Sequence, residues 1–277
     1  MKLATVVVVY HPDVGSVVSN IGTYLDGSDT LIVYDNSETC HNDWDGVKAL
    51  RPDVCLFHEG ENVGLAEAYN RALAVAQRNG CTHLMTMDQD SAFEHFNTYR
   101  QQIEDDTDPS VGIWCCSTNH TLPTRLDGRY LSTATQSGSV FSIPMLEAIG
   151  GFQSDLFIGM VDAEISLRAL QKGYRITLVE GCNLTHQLGS GRKINVGRHT
   201  VEVSDYGALR HYYDSRNRVL LWHKYPKDYD MRGKLHHMVS RLKVMVKIAL
   251  FEDRKRAKIA AIVRGTWYGL LNKAKPF

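Results

Sequence analysis

The chain has 277 residues, with 31 Lys plus Arg against 31 Asp plus Glu and 43% hydrophobic residues, which is the profile of an ordinary globular protein. Disorder, collagen-like repeats and a disulfide scaffold are excluded, and at this length a sizeable core needs neither disulfides nor a structural metal. The zero net charge hides an asymmetry: residues 231 to 277 hold twelve Lys/Arg against Glu252 and Asp253, a balance of +10, which leaves −10 for the first 230 residues and predicts two surfaces with different partners.

In chain order, Leu3 to Tyr10 (LATVVVVY) is a continuous β-branched run closed by His11-Pro12-Asp13, the pattern of a strand covered on both faces. Residues 14 to 25 carry Val14, Val17, Val18, Ile21 and Leu25 at helical spacing, and Thr30 to Tyr34 is a second strand ending in Asp35-Asn36-Ser37. Val54 to His58 predicts a third strand. The Glu61-Asn62-Val63-Gly64 turn then opens a helix from Leu65 to Arg78, stopped by Asn79-Gly80. Thr82 to Met87 is a fourth strand and runs into Asp88-Gln89-Asp90.

A helix is expected near 94 to 105, strands at Val111 to Cys116 and Ser137 to Ile143, a helix at 162 to 172 and a strand at Tyr174 to Val179. Strands alternating with helices through short links predict an α/β fold with a doubly wound sheet, whose ligands sit at the carboxyl ends of the strands. Each polar cluster named so far falls at such an end. The six cysteines show no CxxC pair, so they read as reduced thiols of a cytosolic protein. The first apolar run is too short for a membrane span and lacks a cleavage site, so no export signal is expected.

Two carboxylates at i and i+2 after an apolar strand suit a Mg²⁺ or Mn²⁺ ion bridging to a diphosphate. Read alone, Asp88-Gln89-Asp90 is an ordinary solvated turn far more often than a metal site. Its surroundings decide. The segments VVVVYHP (6 to 12), VYDNS (33 to 37), ENVGLAEAYNRAL (61 to 73), MDQDS (87 to 91), SGSVFS (137 to 142), GGFQSDLFIGMVDAEISLRALQKGY (150 to 174), HQLG (186 to 189) and RHYYDSRN (210 to 217) together resemble the family 2 inverting glycosyltransferases, and within them the bacterial rhamnosyltransferase-like branch.

That resemblance implies a GT-A fold, a Rossmann-like central mixed sheet with a C-terminal helical extension. It divides the chain into a transferase domain over residues 1 to 230 and a basic helical tail over 231 to 277. It also implies transfer of a sugar with inversion, L-rhamnose from dTDP-L-rhamnose ahead of a UDP-sugar such as UDP-galactofuranose or UDP-galactose. The acceptor is a saccharide, lipid-linked, in bacterial cell-surface polysaccharide synthesis of the O-antigen or cell-wall kind. By the same resemblance Tyr10, Asp35 and Asn36 meet the nucleotide base and ribose, while Asn62, Gly64 and Asn70 line the donor segment. Asp88, Gln89 and Asp90 hold the donor diphosphate and, with His186, a Mn²⁺ or Mg²⁺ cofactor. Asp162, six residues before Arg168, takes the role of catalytic base, and a helix N-cap position is compatible with that role. Arg216 and Asn217 are expected at the acceptor or the diphosphate.

Glu164 is the rival base, but two helical residues on it faces about 200° away. The basic loop Gly189 to Lys193 is expected to act as a lid. Two positions depart from the family pattern: Val161 stands where the family has Glu, and Gly159 where many rhamnosyl members have Asp. They leave open a non-catalytic nucleotide-sugar-binding protein as the alternative from another class.

In the tail, apolar positions 235, 238, 239, 242, 245, 246 and 249 recur at steps of three and four, with Arg241, Lys243 and Lys247 off that stripe. Ile259 to Leu271 repeats the pattern. Two basic amphipathic helices are expected, either lying in an anionic membrane interface at the inner face of the plasma membrane or packed on the body. No nucleic-acid-binding motif accompanies the charge, so nucleic acid is not an expected partner.

Overall fold

The expected alternation of strands and helices is present. The computed structural model describes residues 1–39, 43–121, 123, 125–186, 191–196 and 199–277. The elements, in order, are β1 (Leu3–Val9), α1 (Val14–Gly22), β2 (Thr30–Asp35), α2 (Asp45–Leu50), β3 (Cys55–His58), α3 (Leu65–Arg78), β4 (His83–Asp88), β5 (Ser91–Glu94), α4 (Phe96–Asp105) and β6 (Val111–Thr118). They continue with β7 (Arg125–Asp127), β8 (Tyr130–Leu131), β9 (Ser139–Ser142), α5 (Ile143–Ile149), α6 (Val161–Gln171), β10 (Arg175–His186), β11 (Arg192–Val196), β12 (His199–Val203), α7 (Ala208–Lys224), α8 (Met231–Phe251) and α9 (Lys255–Leu270).

Among the described residues the main sheet runs β3-β2-β1-β4-β9-β6-β10-β8-β7, with β5 added on β10. It is mixed: β3, β2, β1 and β4 are parallel to one another, β9 is antiparallel to both β4 and β6, and β10 is parallel to β6. All seven residues of β1 are buried, as a central strand covered on both faces requires. Ala4, Val6 and Val8 join a core with α3, α5 and α6, whereas Leu3, Val7 and Val9 join a core with α1, α2 and α4. The two-residue period of the strand sorts them.

The chain divides into two compact units. The first comprises Met1–Phe157 with Val161–Gln187, the second Ile158–Met160 with Leu188–Phe277. The second unit therefore takes in α7 as well as the two tail helices. In it, α9 meets α7 through Gly265 and Gly269: a Cβ on Gly265 would stand 2.3 Å from the Tyr212 carbonyl oxygen, and one on Gly269 2.7 Å from Val219 Cβ. Only glycine permits that approach of two helix backbones.

Of the expected lid, Gly189 and Ser190 lie outside the described residues, while Arg192 and Lys193 begin β11, which pairs with β12. Cys55, Cys81, Cys115, Cys116 and Cys182 are unbridged, and Cys40 lies outside the described residues. No described helix is long and apolar enough to cross a membrane.

Candidate active site

The parallel strands deliver their polar ends to one edge. Register pairs Val8 with Asp88 and Val9 with Asp35, so Tyr10, Asp35 and Asp88 leave β1, β2 and β4 at the same level. Asp90 follows in the turn after β4. His186 arrives from the far end of β10, which pairs antiparallel with β5 so that His186 stands opposite Ser91, next to Asp90. The imidazole Nδ1 lies 3.9 Å from Asp88 Oδ2, and Nε2 lies 3.5 Å from Asp90 Oδ1. One ligand atom from each of the three falls within 4.8 Å of the others, and all three side chains are half-buried.

Two hard carboxylates and one imidazole, with room left for water or phosphate oxygens, form a donor set that fits Mn²⁺ or Mg²⁺. The trio is held from behind. Asn119 clamps the His186 backbone, its Oδ1 accepting from His186 N–H and its Nδ2 donating to His186 O, both at 2.9 Å. Ser137 Oγ accepts the Asp88 N–H at 3.0 Å and is bonded in turn to Ser91 Oγ. Gln89 does not face the cluster as a ligand would: its Oε1 accepts the Tyr10 N–H at 2.7 Å and its carbonyl accepts from Asn20, tying the turn to β1 and α1.

Asp35 is buried and accepts the Ser37 N–H. Tyr10 is 45% exposed, lies edge-on to His11 and donates its hydroxyl to Glu38. Glu38, which sequence reasoning missed, is held below the ordinary glutamate pKa chiefly by a backbone hydrogen bond, with Tyr10 and His11 adding to it. Asn36 Nδ2 donates to Asn62 Oδ1 while Asn36 Oδ1 accepts the Val63 N–H, and Asn62 Oδ1 also accepts from Gly64. These amides latch the end of β2 to the turn before α3.

Gly64 has φ of 84°, and a Cβ there would stand 2.5 Å from the Phe157 ring and 2.9 Å from its Cα. Glycine is required by space as well as by torsion. The approach has a consequence: the Phe157 carbonyl accepts the Leu65 N–H at 2.6 Å, so the first amide of α3 is already taken. Phosphate charge near this turn would meet the helix dipole rather than that N–H. Asn70 bonds Phe152 N–H and Phe152 O with its amide oxygen and nitrogen, and Ser154 Oγ with the nitrogen, pinning α3 to the loop after α5.

Asp162 lies in the first turn of α6, half-buried, with Oδ1 accepting the Ala163 N–H at 2.8 Å. It is not the N-cap: the helix begins one residue earlier because Val161 is buried in the core with Ile165. Val161, standing where the resembled family has an acid, is thus a packing residue here. Glu164 is fully buried and paired with Arg168 at 2.8 Å, and Arg168 also donates to Ile149 O and Gly151 O. Glu164 therefore fastens α6 rather than facing solvent beside Asp162. The Tyr69 hydroxyl, fully buried and without a hydrogen-bond partner among the described residues, is held well above the ordinary tyrosine pKa first by burial and then by the charges of Asp88 and Asp162. One phenol feels both acids, so Asp88 and Asp162 share a neighbourhood.

Arg216 and Asn217 belong to the second unit. Arg216 is 1% exposed, lies over the Tyr213 ring and donates to Asn217 Oδ1 and Lys275 O; Asn217 donates to the carbonyls of Ile158 and Gly159. Their described bonds fasten α7 to the C-terminal segment and to Ile158–Gly159.

Comparison with known proteins agrees with this geometry. No family model matches the sequence. A dTDP-rhamnosyl transferase of Shigella flexneri, RfbF, is 24% identical over 245 residues, 80% of each chain. The mannosyltransferase PcManGT of Pyrobaculum calidifontis, solved with GDP-Man and Mn²⁺, superposes with a TM-score of 0.60 at 16% identity over 98% of this chain and 88% of its own. The chain has the GT-A fold and is similar in sequence to a rhamnosyltransferase. Residues 1 to 349 of S. aureus TarS, solved with UDP-GlcNAc, give a TM-score of 0.57 at 13% identity over 99% and 88% of the two chains. The chain thus shares its fold with proteins solved with different nucleotide sugars.

Proposed function

We propose that the chain is an inverting glycosyltransferase that moves L-rhamnose from dTDP-L-rhamnose to a saccharide acceptor carried on a lipid, in bacterial cell-surface polysaccharide synthesis, at the inner face of the plasma membrane. The observation that carries the reading is the convergence of Asp88, Asp90 and His186 at the carboxyl edge of the sheet, with Asp162 near enough to act on the same buried phenol. Asp88, Asp90 and His186 would hold a divalent cation, which supplies positive charge to the departing diphosphate.

The chain's own part is positional and basic. Tyr10 and Asp35 orient the nucleoside, while the Asn36–Asn62 latch and Gly64 shape the turn that faces it. Asp162 removes the acceptor hydroxyl proton as the oxygen bonds to the anomeric carbon, and the bond from that carbon to the diphosphate breaks on the opposite face, its electrons leaving with the diphosphate. A single in-line displacement inverts the carbon. The rhamnosyl donor rests on the likeness to the Shigella protein; the TarS likeness favours a UDP-sugar as second reading.

The test is transfer from dTDP-rhamnose, UDP-galactose, UDP-galactofuranose and UDP-GlcNAc with Mn²⁺ or Mg²⁺. Turnover with dTDP-rhamnose alone supports the first donor, and turnover with a UDP-sugar alone replaces it with the second. In the Asp88→Asn/Asp90→Asn double variant we expect turnover to fall about a thousandfold or more and Mn²⁺ binding, read by electron paramagnetic resonance, to disappear. Undiminished transfer by the folded variant ends the reading.

A further inference from the structure

The tail helix α8 has an unusual division of faces. Its inner side is largely polar: Arg241 pairs with Asp214 of α7, His237 sits edge-on to Trp222 of α7, and Lys247 donates to Glu202 O of β12, with Ile248 as the only fully buried residue of the helix. The stripe that sequence periodicity marks as the packing face points the other way. Leu235, Met238, Val239, Leu242, Val246 and Leu250 are all between 42% and 66% exposed. At 100° per residue they occupy one continuous arc of about 120°.

That arc has basic borders. Arg232 and Lys243 stand exposed along one edge and Lys234, half-buried, along the other, and α8 contains five Lys/Arg and no Asp or Glu. Within the same unit α9 repeats the arrangement: Gly265 and Gly269 face α7, while Val263, Trp267 and Leu270 are 49% to 59% exposed beside Arg256 and Arg264. Contiguous apolar surface of this extent, rimmed by polar groups, marks a docking surface.

We propose that the outer face of α8, with that of α9, docks on an anionic phospholipid surface, lying in the plane of the interface. Charge selects the occupant. Apolar side chains enter the acyl boundary while Arg232, Lys234 and Lys243 meet anionic headgroups, and Trp267 suits the interfacial layer. A second copy of the chain is disfavoured because a two-fold pairing of α8 would set basic edges against basic edges without an acid to answer them. The inference rests on the exposed faces alone, so it stands or falls apart from the transfer reading.

The test uses the full chain and vesicles of one part phosphatidylglycerol to two parts phosphatidylcholine, with pure phosphatidylcholine as the comparison. We expect co-sedimentation with the anionic vesicles, weakened by salt, and little with the neutral ones. The Leu242→Asp/Val246→Asp variant should lower vesicle partitioning by about tenfold or more, and Lys234→Gln/Lys243→Gln by a smaller, salt-sensitive factor. The substituted side chains are exposed or, at Lys234, half-buried, and an unchanged melting profile and donor affinity show that the chain is intact. Failure to pellet, equal binding to neutral vesicles, or an unaltered Leu242→Asp/Val246→Asp variant overturns the proposal. So does a dimer in light scattering that this variant dissolves, since the face would then belong to a second copy.

Discussion

The first unit is built in the ordinary sense, with apolar side chains inside and Asp35, Asp88 and Asp90 brought to one open edge, whereas the second departs from that plan. It buries ions and leaves hydrocarbon outside. Lys258 is paired with Glu252 at 2.7 Å and Asp205 at 2.8 Å, and Arg216 and Arg241 are likewise drawn into its packing. Meanwhile Leu235, Leu242, Val246 and Trp267 face outward. A sheet core is stabilised by area removed from water; a unit that leaves Leu235, Leu242 and Leu250 outside depends more on hydrogen-bonded ion pairs and on the close contact at Gly265 and Gly269. The two units should therefore fail differently.

The largest effect is expected at the open edge of the first unit. Asp162→Asn removes the carboxylate proposed as proton acceptor but keeps the hydrogen bond to the Ala163 N–H available to an amide oxygen. Turnover should fall about a hundred- to ten-thousandfold, with donor KM nearly unchanged, because the lost interaction is made only in the transition state. Steady-state kinetics on the two proteins decides it. A Glu164→Gln variant sharpens the comparison: that acid is buried against Arg168, so its loss should appear in stability before it appears in the chemistry.

Next comes the buried ion cluster of the second unit. Lys258→Met leaves Glu252, almost wholly buried, without its cation. Breaking one half of such a pair costs about 3–5 kcal/mol, read as a lower denaturation midpoint. Adding Glu252→Gln to Lys258→Met should recover most of it, because an uncharged amide no longer needs the cation. A double variant no more stable than the single one would show that the cost comes from lost packing of the lysine stem instead.

Much of the first unit was legible in the sequence because its signals are local. The seven-residue β1 announces itself by a continuous apolar run and the helix Leu65–Arg78 by its apolar period between Gly64 and Gly80, and Asp88-Gln89-Asp90 is contiguous. His186 is different. It reaches Asp90 only through the register of β5 on β10, and β5 is four residues long and too short to announce itself. Asn119, which clamps His186, is likewise a partner set by long-range pairing. Sequence periodicity found the apolar stripe of α8 but not its direction, since period alone does not say whether neutral packing or solvent lies opposite. The signal for α9 was present in the four-residue spacing of Gly265 and Gly269, which allows helices to approach closely. Glu38 and Tyr69 had no sequence signal beyond their residue type.

The smallest effect is a dependence on pH, again different in the two units. Burial, with the N-terminal amine adding to it, pushes His83 of the first unit down to about 4, and it packs against Trp114. His237 of the second unit is likewise pushed down to about 4 by burial, and then by Arg218 and Arg241. The folded chain thus keeps both imidazoles neutral where the unfolded chain, titrating near 6.5, takes up protons. The unfolded state binds more protons below that value, so stability rises with pH across the window from about 4 to 6.5 and falls on acidification through it. For His83 the ceiling is about 1.4 kcal/mol per pH unit; His237 acts in the same direction with less weight, being more open to solvent. Urea unfolding at about pH 7 and about pH 5 should show the loss, and His83→Gln should flatten it. An unchanged slope in that variant, with His237→Gln flattening it instead, would move the acid-sensitive point from the sheet to the helices.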